Sequence, residues 1–160
     1  MTAISTTLSS WITRQRWFHA EHETSDMELV GSWQIGALTR IDLIKARGAI
    51  YVVPLVVSDS ELPGQAILSE DVYVYDGTDH PQGQADLLGA LGGTFSGEGI
   101  AGVLVGSPVD AKALSSASKL TSEQSNTSIV YTFDDGSQTI LKVIRILAAG
   151  ENPEAPSTRP

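Results

Sequence analysis

The segment RIDLIKARGAIYVVPLVV, residues 40–57, decides the fold. In its first half the apolar residues Ile41 and Leu43 alternate with polar neighbours. Its second half is rich in valine, isoleucine and tyrosine, which favour β-strands. Arg47 and Gly48 separate the two halves and predict a tight turn. We therefore expect two strands joined by this turn in an antiparallel sheet.

The flanking sequence predicts more strands and a few short helices. Residues 6–16 have helical spacing of apolar side chains, with Thr6 or Thr7 as the cap, and this helix delivers Trp17 and Phe18 to the core. We expect strands at 29–38, 71–75 and 102–105, and a helix at 85–91 that ends at two glycines. The expected class is α+β, with a curved antiparallel sheet and short helices.

A second unit is predicted after residue 108. Residues 110–119, rich in alanine and serine, suggest a connector, and residues 128–133 and 139–147 flank the turn Asp134-Asp135-Gly136 as a β-hairpin. The tail, 148–160, contains three prolines and few apolar residues, which predicts a flexible segment. The expected organisation is a first domain at 1–108, a connector and hairpin at 109–147, and the tail.

Composition excludes several classes of function. The 160 residues include no cysteine, so zinc fingers, iron–sulfur sites and cysteine nucleophiles are excluded. The net charge is -9, and its excess lies in residues 48–111, which contain no lysine or arginine and would repel nucleic acid. This stretch fits a solvated acidic face better than a docking surface for a basic partner. The sequence shows no transmembrane run and no signal peptide, so we expect a cytoplasmic protein.

Two short motifs have weak support as ligand sites. Residues 97–102, GEGIAG, fit the dinucleotide pattern G-x-G-x-x-G, but a helix is expected before them and a strand after them, which is the reverse of the required context. His19 and His22 lie beside acidic residues, yet no third metal ligand can be named. We therefore expect a turn at 97–102, an exposed surface at the histidines, and no metal site.

The segment SEQSNTS, residues 122–128, followed by a hairpin with ILKVIR at 140–145, carries more information. A small polar loop that leads into a hairpin, with one lysine on its second strand, is how kinase-like N-lobes cover a nucleotide. A plain hairpin with an exposed lysine explains the same pattern. The candidate nucleotide-binding residues are Ser122, Glu123, Gln124, Ser125, Asn126, Thr127, Ser128 and Lys142.

These segments resemble the N-terminal part of the bacterial maltokinase family. The resemblance rests on LSSWITRQRWF at 8–18, Val53-Pro54-Leu55, Tyr75-Asp76-Gly77, the SEQSNTS segment, ILKVIR and Asn152-Pro153-Glu154. It implies an N-terminal cap joined to the opening strands of a kinase N-lobe. Members of the family phosphorylate maltose with ATP, in the route from trehalose to α-glucan. By this resemblance residues 122–128 occupy the nucleotide loop and Lys142 is the phosphate-binding lysine.

The chain departs from the family where a helical lobe would hold the catalytic and metal-binding aspartates. Without those groups we expect no phosphoryl transfer and at most weak ATP binding. The first hypothesis is therefore a noncatalytic cap-like binding or regulatory protein, whose partner is trehalose synthase or a kinase catalytic lobe. The second is the N-terminal part of a split or truncated maltokinase that contacts nucleotide. The third is a scaffold that forms homodimers through its uncovered hairpin.

Overall fold

The computed structural model describes residues 2–19, 26–91, 95–97, 100–102, 113–122 and 125–147. Helix α1 spans Thr6–Thr13 and α2 spans Pro81–Ala90. The first strands are β1 (Thr2–Ala3), β2 (Met27–Gln34), β3 (Thr39–Ala46), β4 (Ala49–Ser58), β5 (Leu68–Ser69) and β6 (Tyr73–Asp76). The later strands are β7 (Phe95–Gly97), β8 (Ile100–Gly102), β9 (Leu114–Lys119), β10 (Asn126–Phe133), β11 (Gln138–Ile144) and β12 (Ile146–Leu147). The predicted mixture of antiparallel sheet and short helices is confirmed.

The main sheet is built around the β3–β4 hairpin. Its strand order is β1-β2-β3-β4-β6-β5, and β12 pairs with β4 beside this path. The predicted turn is confirmed: Arg47 and Gly48 have φ of 47° and 86°, the left-handed values that a two-residue hairpin turn requires. Ala46 faces Ala49 across the turn, which fixes the register of the whole hairpin.

Both faces of this hairpin are covered, because strand residues alternate between the two faces. On one face Ile44, Tyr51, Val53 and Leu55 join a core with α1 residues Leu8 and Ile12 and with Trp17 and Phe18. On the other face Ile41 and Val52 pack with α2 and with the later strands. The covering of both faces explains why the second half of segment 40–57 is a nearly continuous apolar run.

The first helix differs from the prediction at both ends. Its N-cap is Ser5, whose hydroxyl accepts a hydrogen bond from the Leu8 amide at 3.2 Å, so neither Thr6 nor Thr7 is the cap. The helix ends at Thr13, and Arg14 is its C-cap. Trp17 and Phe18 follow and pack on Tyr51, with ring centroids 6.0 and 4.9 Å from it. Their predicted burial is confirmed.

The second helix begins earlier than predicted. His80 caps it by accepting a hydrogen bond from the Gln82 amide, and Pro81 occupies the first turn, where a missing N–H costs nothing. Its N-terminal turn lies against the backbone of Gly77, and only a glycine at position 83 leaves room for that contact. Leu87 and Leu88 are buried beneath the strands that follow.

The predicted hairpin is present, because β10 and β11 pair around the Asp134-Asp135-Gly136 turn, and β9 extends it to a three-stranded antiparallel sheet in the order β11-β10-β9. The connector prediction was wrong for residues 114–119, which form β9 and pair with β10. The predicted second strand of the hairpin, 139–147, is divided: β11 ends at Ile144, and β12 pairs with β4 of the main sheet. The predicted boundary at 108 and the tail, 148–160, lie outside the described residues.

Candidate functional site

The face of the three-stranded sheet that packs against α2, which we call the cap side, is buried. Ile129 and Tyr131 pack with Leu87 and Leu88 of α2, and the Tyr131 hydroxyl donates a hydrogen bond to the Gln84 carbonyl oxygen at 2.7 Å. Burial raises the pKa of Tyr131, because the phenolate would lose its hydration. This face is therefore fixed against α2.

The opposite face of the sheet is the more exposed one, and we call it the open face. It is defined by Ser128, Val130, Ile140 and Lys142, which share a side because directly paired residues point the same way. Ser128 pairs with Lys142, and Val130 pairs with Ile140. Ile140 is 63% exposed, the largest exposed fraction among the large hydrophobic side chains of the described residues. Lys142 is also exposed, whereas Ser128 is only 3% exposed, so the accessible part of the open face is an apolar patch with one lysine.

The structure describes the predicted nucleotide-binding residues except Glu123 and Gln124, which lie outside the described residues. Ser122 and Ser125 are exposed in the connection between β9 and β10. The Leu120 amide donates to the Ser128 carbonyl oxygen at 2.9 Å, which closes this connection at its base. Ser128 and Lys142 are brought together, whereas Thr127 points to the other face of the sheet.

Thr127 has a structural contact that the sequence did not suggest. Its hydroxyl oxygen accepts a hydrogen bond from Nε of Arg145 at 2.8 Å, inside the protein. Arg145 is only 1% exposed and also donates to the Val52 carbonyl oxygen at 3.1 Å and to the Thr78 hydroxyl at 3.3 Å. The guanidinium group lies 4.6 Å from the centre of the Trp17 ring. Arg145 thus joins the segment that follows α1, strands β4 and β10, and the turn before α2.

Arg145 remains a cation at neutral pH. Burial lowers its pKa to about 10, and the carboxylate of Asp76 opposes that shift. Three hydrogen bonds and the Trp17 ring compensate for the hydration that the buried charge has lost. Sequence analysis missed this residue, although one signal was available: a single arginine interrupts the apolar run VIRIL at 143–147.

The other candidate sites have structural explanations where they are described. Asp135 accepts hydrogen bonds from the amide and hydroxyl of Ser137, which lower its pKa and make it part of the β10–β11 turn. Gly97 pairs with Ile100 in a two-stranded ribbon, so residues 97–102 lack the strand-to-helix context of a dinucleotide site. His19 is exposed, and His22 lies outside the described residues. Within the described ranges, no three acidic or histidine side chains are grouped as metal ligands.

The main sheet and both helices correspond to a known domain type. Residues 11–85 match the family model of the maltokinase N-terminal cap domain. This part of the chain is similar to a maltokinase N-terminal cap domain. The match begins within α1, includes β2 to β6 and ends within α2, and therefore stops before the three-stranded sheet.

No curated protein matches the chain. Neither helix in the described residues is long and apolar enough to cross a membrane. The similarity is limited to residues 11–85, and the three-stranded sheet packs directly on this part of the chain through α2.

Proposed function

We propose that this chain is a noncatalytic binding module of a maltokinase-type sugar kinase system. In this proposal the cap holds the three-stranded sheet from one side, and the open face docks a kinase catalytic lobe. One observation supports it above the others: α2 of the cap buries Ile129 and Tyr131, while Ile140 and Lys142 on the reverse side stay accessible. A cap domain together with a half-covered sheet fits a module that completes another lobe.

The chemistry of the open face suits such a partner. Exposed Ile140 and half-buried Val130 provide an apolar centre, and exposed Lys142 lies next to it. Apolar centres with polar surroundings are typical of specific interfaces. By the family resemblance, Lys142 then faces the nucleotide that the partner lobe holds, and the reaction served is the phosphorylation of maltose by ATP.

Co-expression tests the docking. This chain is co-expressed with a maltokinase from which the cap and the first N-lobe strands have been deleted, and the two are purified through a tag on this chain. We expect a stable complex, which the Ile140→Glu variant abolishes because it places a charge in the apolar centre. Leu147→Glu is the matched control, since Leu147 is also exposed but lies on β12 beside the main sheet. A complex that survives Ile140→Glu, or no complex with the unaltered chain, contradicts the docking.

The same purification, repeated with trehalose synthase in place of the kinase fragment, shows which of the two partners suggested by the sequence binds this chain. Capture of trehalose synthase, with no capture of the kinase lobe, would contradict the proposal in its present form. It would leave the cap as a module of the same metabolic route with a different partner.

A second candidate function is direct contact with nucleotide, and the pairing of Ser128 with Lys142 favours it. Titration of the isolated chain with Mg-ATP, followed by amide NMR, tests this contact. Shifts at residues 128 and 142 are expected, and Lys142→Gln should reduce them, whereas Lys45→Gln, at an exposed position of β3, should not. The absence of shifts at millimolar ATP would restrict the open face to protein docking.

A further inference from the structure

A groove of about 300 Å³ lies where the end of α1 meets the three-stranded sheet. We call it the cationic groove and define it by Arg14, Arg16, Lys119 and Arg145, with Trp17, Thr121 and Asn126 among the other lining residues. It is separate from the open face, because Lys119 and Arg145 belong to the cap side of the sheet and Lys142 does not line it.

The concentration of positive charge in this groove is unusual for the chain. Half of the lysines and arginines in the described residues line it, and Arg40, Lys45, Arg47 and Lys142 lie elsewhere. No described acidic residue lines it, although the chain as a whole has a net charge of -9. A local cluster of cations in an acidic protein favours the binding of a small anion.

The nearby carboxylates neutralise only part of this charge. Nζ of Lys119 lies 2.9 Å from Oδ2 of Asp76 and 3.7 Å from Oδ1 of Asp79. Among the residues that the structure describes, four cations minus these two carboxylates leave two positive charges in excess. A phosphate monoester carries between about -1.5 and -2 at neutral pH, so its charge matches that excess.

Donors are available around the opening of the groove. Arg14 and Arg16 are exposed, and Arg16 uses one nitrogen to donate to the Thr121 carbonyl oxygen at 2.9 Å, which holds its guanidinium beside the β9–β10 connection. Thr121 and Asn126 also line the groove. Guanidinium, hydroxyl and amide groups are donors suited to phosphate oxygens, and the residue types of this lining supply all three.

We propose that the cationic groove binds the phosphate group of a small phosphorylated molecule, with Arg14 and Arg16 as its principal donors. Its volume is at the lower limit for small-molecule sites, which fits a sugar phosphate or the phosphates of a nucleotide rather than a polymer. The buried guanidinium of Arg145 forms part of the groove wall and supplies positive charge from within.

Calorimetric titration with pyrophosphate, in buffer free of phosphate and sulfate, tests the site. We expect binding that weakens with added salt, and a loss of affinity of about tenfold or more in the double variant Arg14→Gln/Arg16→Gln. Lys45→Gln is the control for a general loss of charge, because Lys45 is an exposed cation on β3 outside the groove. The NMR signal of the Trp17 indole should shift on binding in the unaltered chain.

Two results overturn the proposal: no binding of pyrophosphate at millimolar concentration, or binding that the double arginine variant retains and Lys142→Gln removes. The second result would assign the anion to the open face. Parallel titrations with glucose 1-phosphate and with ATP distinguish the source of the phosphate, since the tighter ligand identifies it. The proposed docking of a kinase lobe depends on Ile140 and is tested independently of these variants.

Discussion

Replacing Arg145 by methionine tests whether the cap and the three-stranded sheet form one cooperative unit. Methionine keeps an unbranched apolar side chain beside Trp17 but removes the hydrogen bonds to Thr127, Val52 and Thr78. Val52 still donates its amide proton to the carbonyl oxygen of residue 145, at 2.8 Å in the native protein, so the backbone crossing between the sheets is preserved. The substitution therefore isolates the contribution of the guanidinium group.

The expected cost follows from the acceptors left without a donor. Each buried acceptor that loses its donor costs about 1–3 kcal/mol, and three acceptors lose one here. The two threonine hydroxyls can reorient, and the mutation also relieves the burial of a charge, so the total should be well below the sum of three such costs. The free energy of unfolding should fall by about 2–3 kcal/mol.

Urea unfolding, followed by tryptophan fluorescence and by far-ultraviolet circular dichroism, measures this loss. In the native chain the two signals should change together, because Trp17 contacts both the cap core and Arg145. In Arg145→Met they should separate, and Arg47→Met, at an exposed turn, serves as the control. A loss below about 1 kcal/mol with coincident transitions would refute the idea that Arg145 couples the two sheets.

Three further predictions concern the packing around α2 and the open face. Gly83→Ala should destabilise the protein by about 1–3 kcal/mol, because the added Cβ would overlap the Gly77 carbonyl oxygen. The added Cβ of Gly89→Ala, in the same helix, meets no other atom, so this variant should be more stable by up to about 1 kcal/mol. Thermal unfolding of both variants measures this contrast, and equal effects would contradict it. Tyr131→Phe should cost about 1 kcal/mol at pH 7, since it removes the hydrogen bond to Gln84. Because the pKa of Tyr131 is raised in the folded state, only the unfolded chain ionises this tyrosine just above its ordinary pKa of about 10. The stability difference between the native and Tyr131→Phe proteins should therefore be constant below about pH 10 and shrink above it, and urea unfolding on either side of that pH measures the difference. Ile140→Ser should leave the unfolding free energy nearly unchanged, within about 0.5 kcal/mol, because the side chain is mostly exposed, and a large loss in the same urea titration would mean that the open face is already covered.

The sequence predicted local structure best where one chemical rule acts alone. The Arg47-Gly48 turn is such a place, because a two-residue hairpin needs left-handed backbone and the flanking residues favour strands. The burial of Trp17 and Phe18 was also predicted correctly. The cap of α1 was placed one or two residues too late, since Ser5, Thr6 and Thr7 have similar capping ability and local sequence does not choose among them.

Features that depend on distant contacts were not predicted. Residues 114–119 look like a connector because they are small and polar, yet they form β9 by pairing with β10. The strand predicted at 139–147 is two strands: β11 ends at Ile144 in the three-stranded sheet, and β12 belongs to the main sheet. The buried Arg145 lies between them. Helix α2 begins at Pro81 and not at the predicted residue 85, and its first turn packs on the backbone of Gly77.

The structure divides the predicted nucleotide-binding residues between the two faces of one sheet. Segment 122–128 and Lys142 were selected together, and the structure places Ser128 and Lys142 in register on the open face. Thr127 belongs instead with Arg145 on the cap side, since successive strand residues point to opposite faces. The cationic groove was not predicted, because its four cations come from residues 14–16, 119 and 145, which only the tertiary fold brings together.

Hydrogen–deuterium exchange of this chain, with and without the maltokinase fragment that lacks its own cap and first strands, tests the central claim most directly. A docked lobe should slow exchange in β10 and β11, at residues 126–133 and 138–144, and leave β2 and β3 of the cap unchanged. Slowed exchange confined to α1 and the main sheet, with β10 and β11 unaffected, would show that the open face is not where the partner binds.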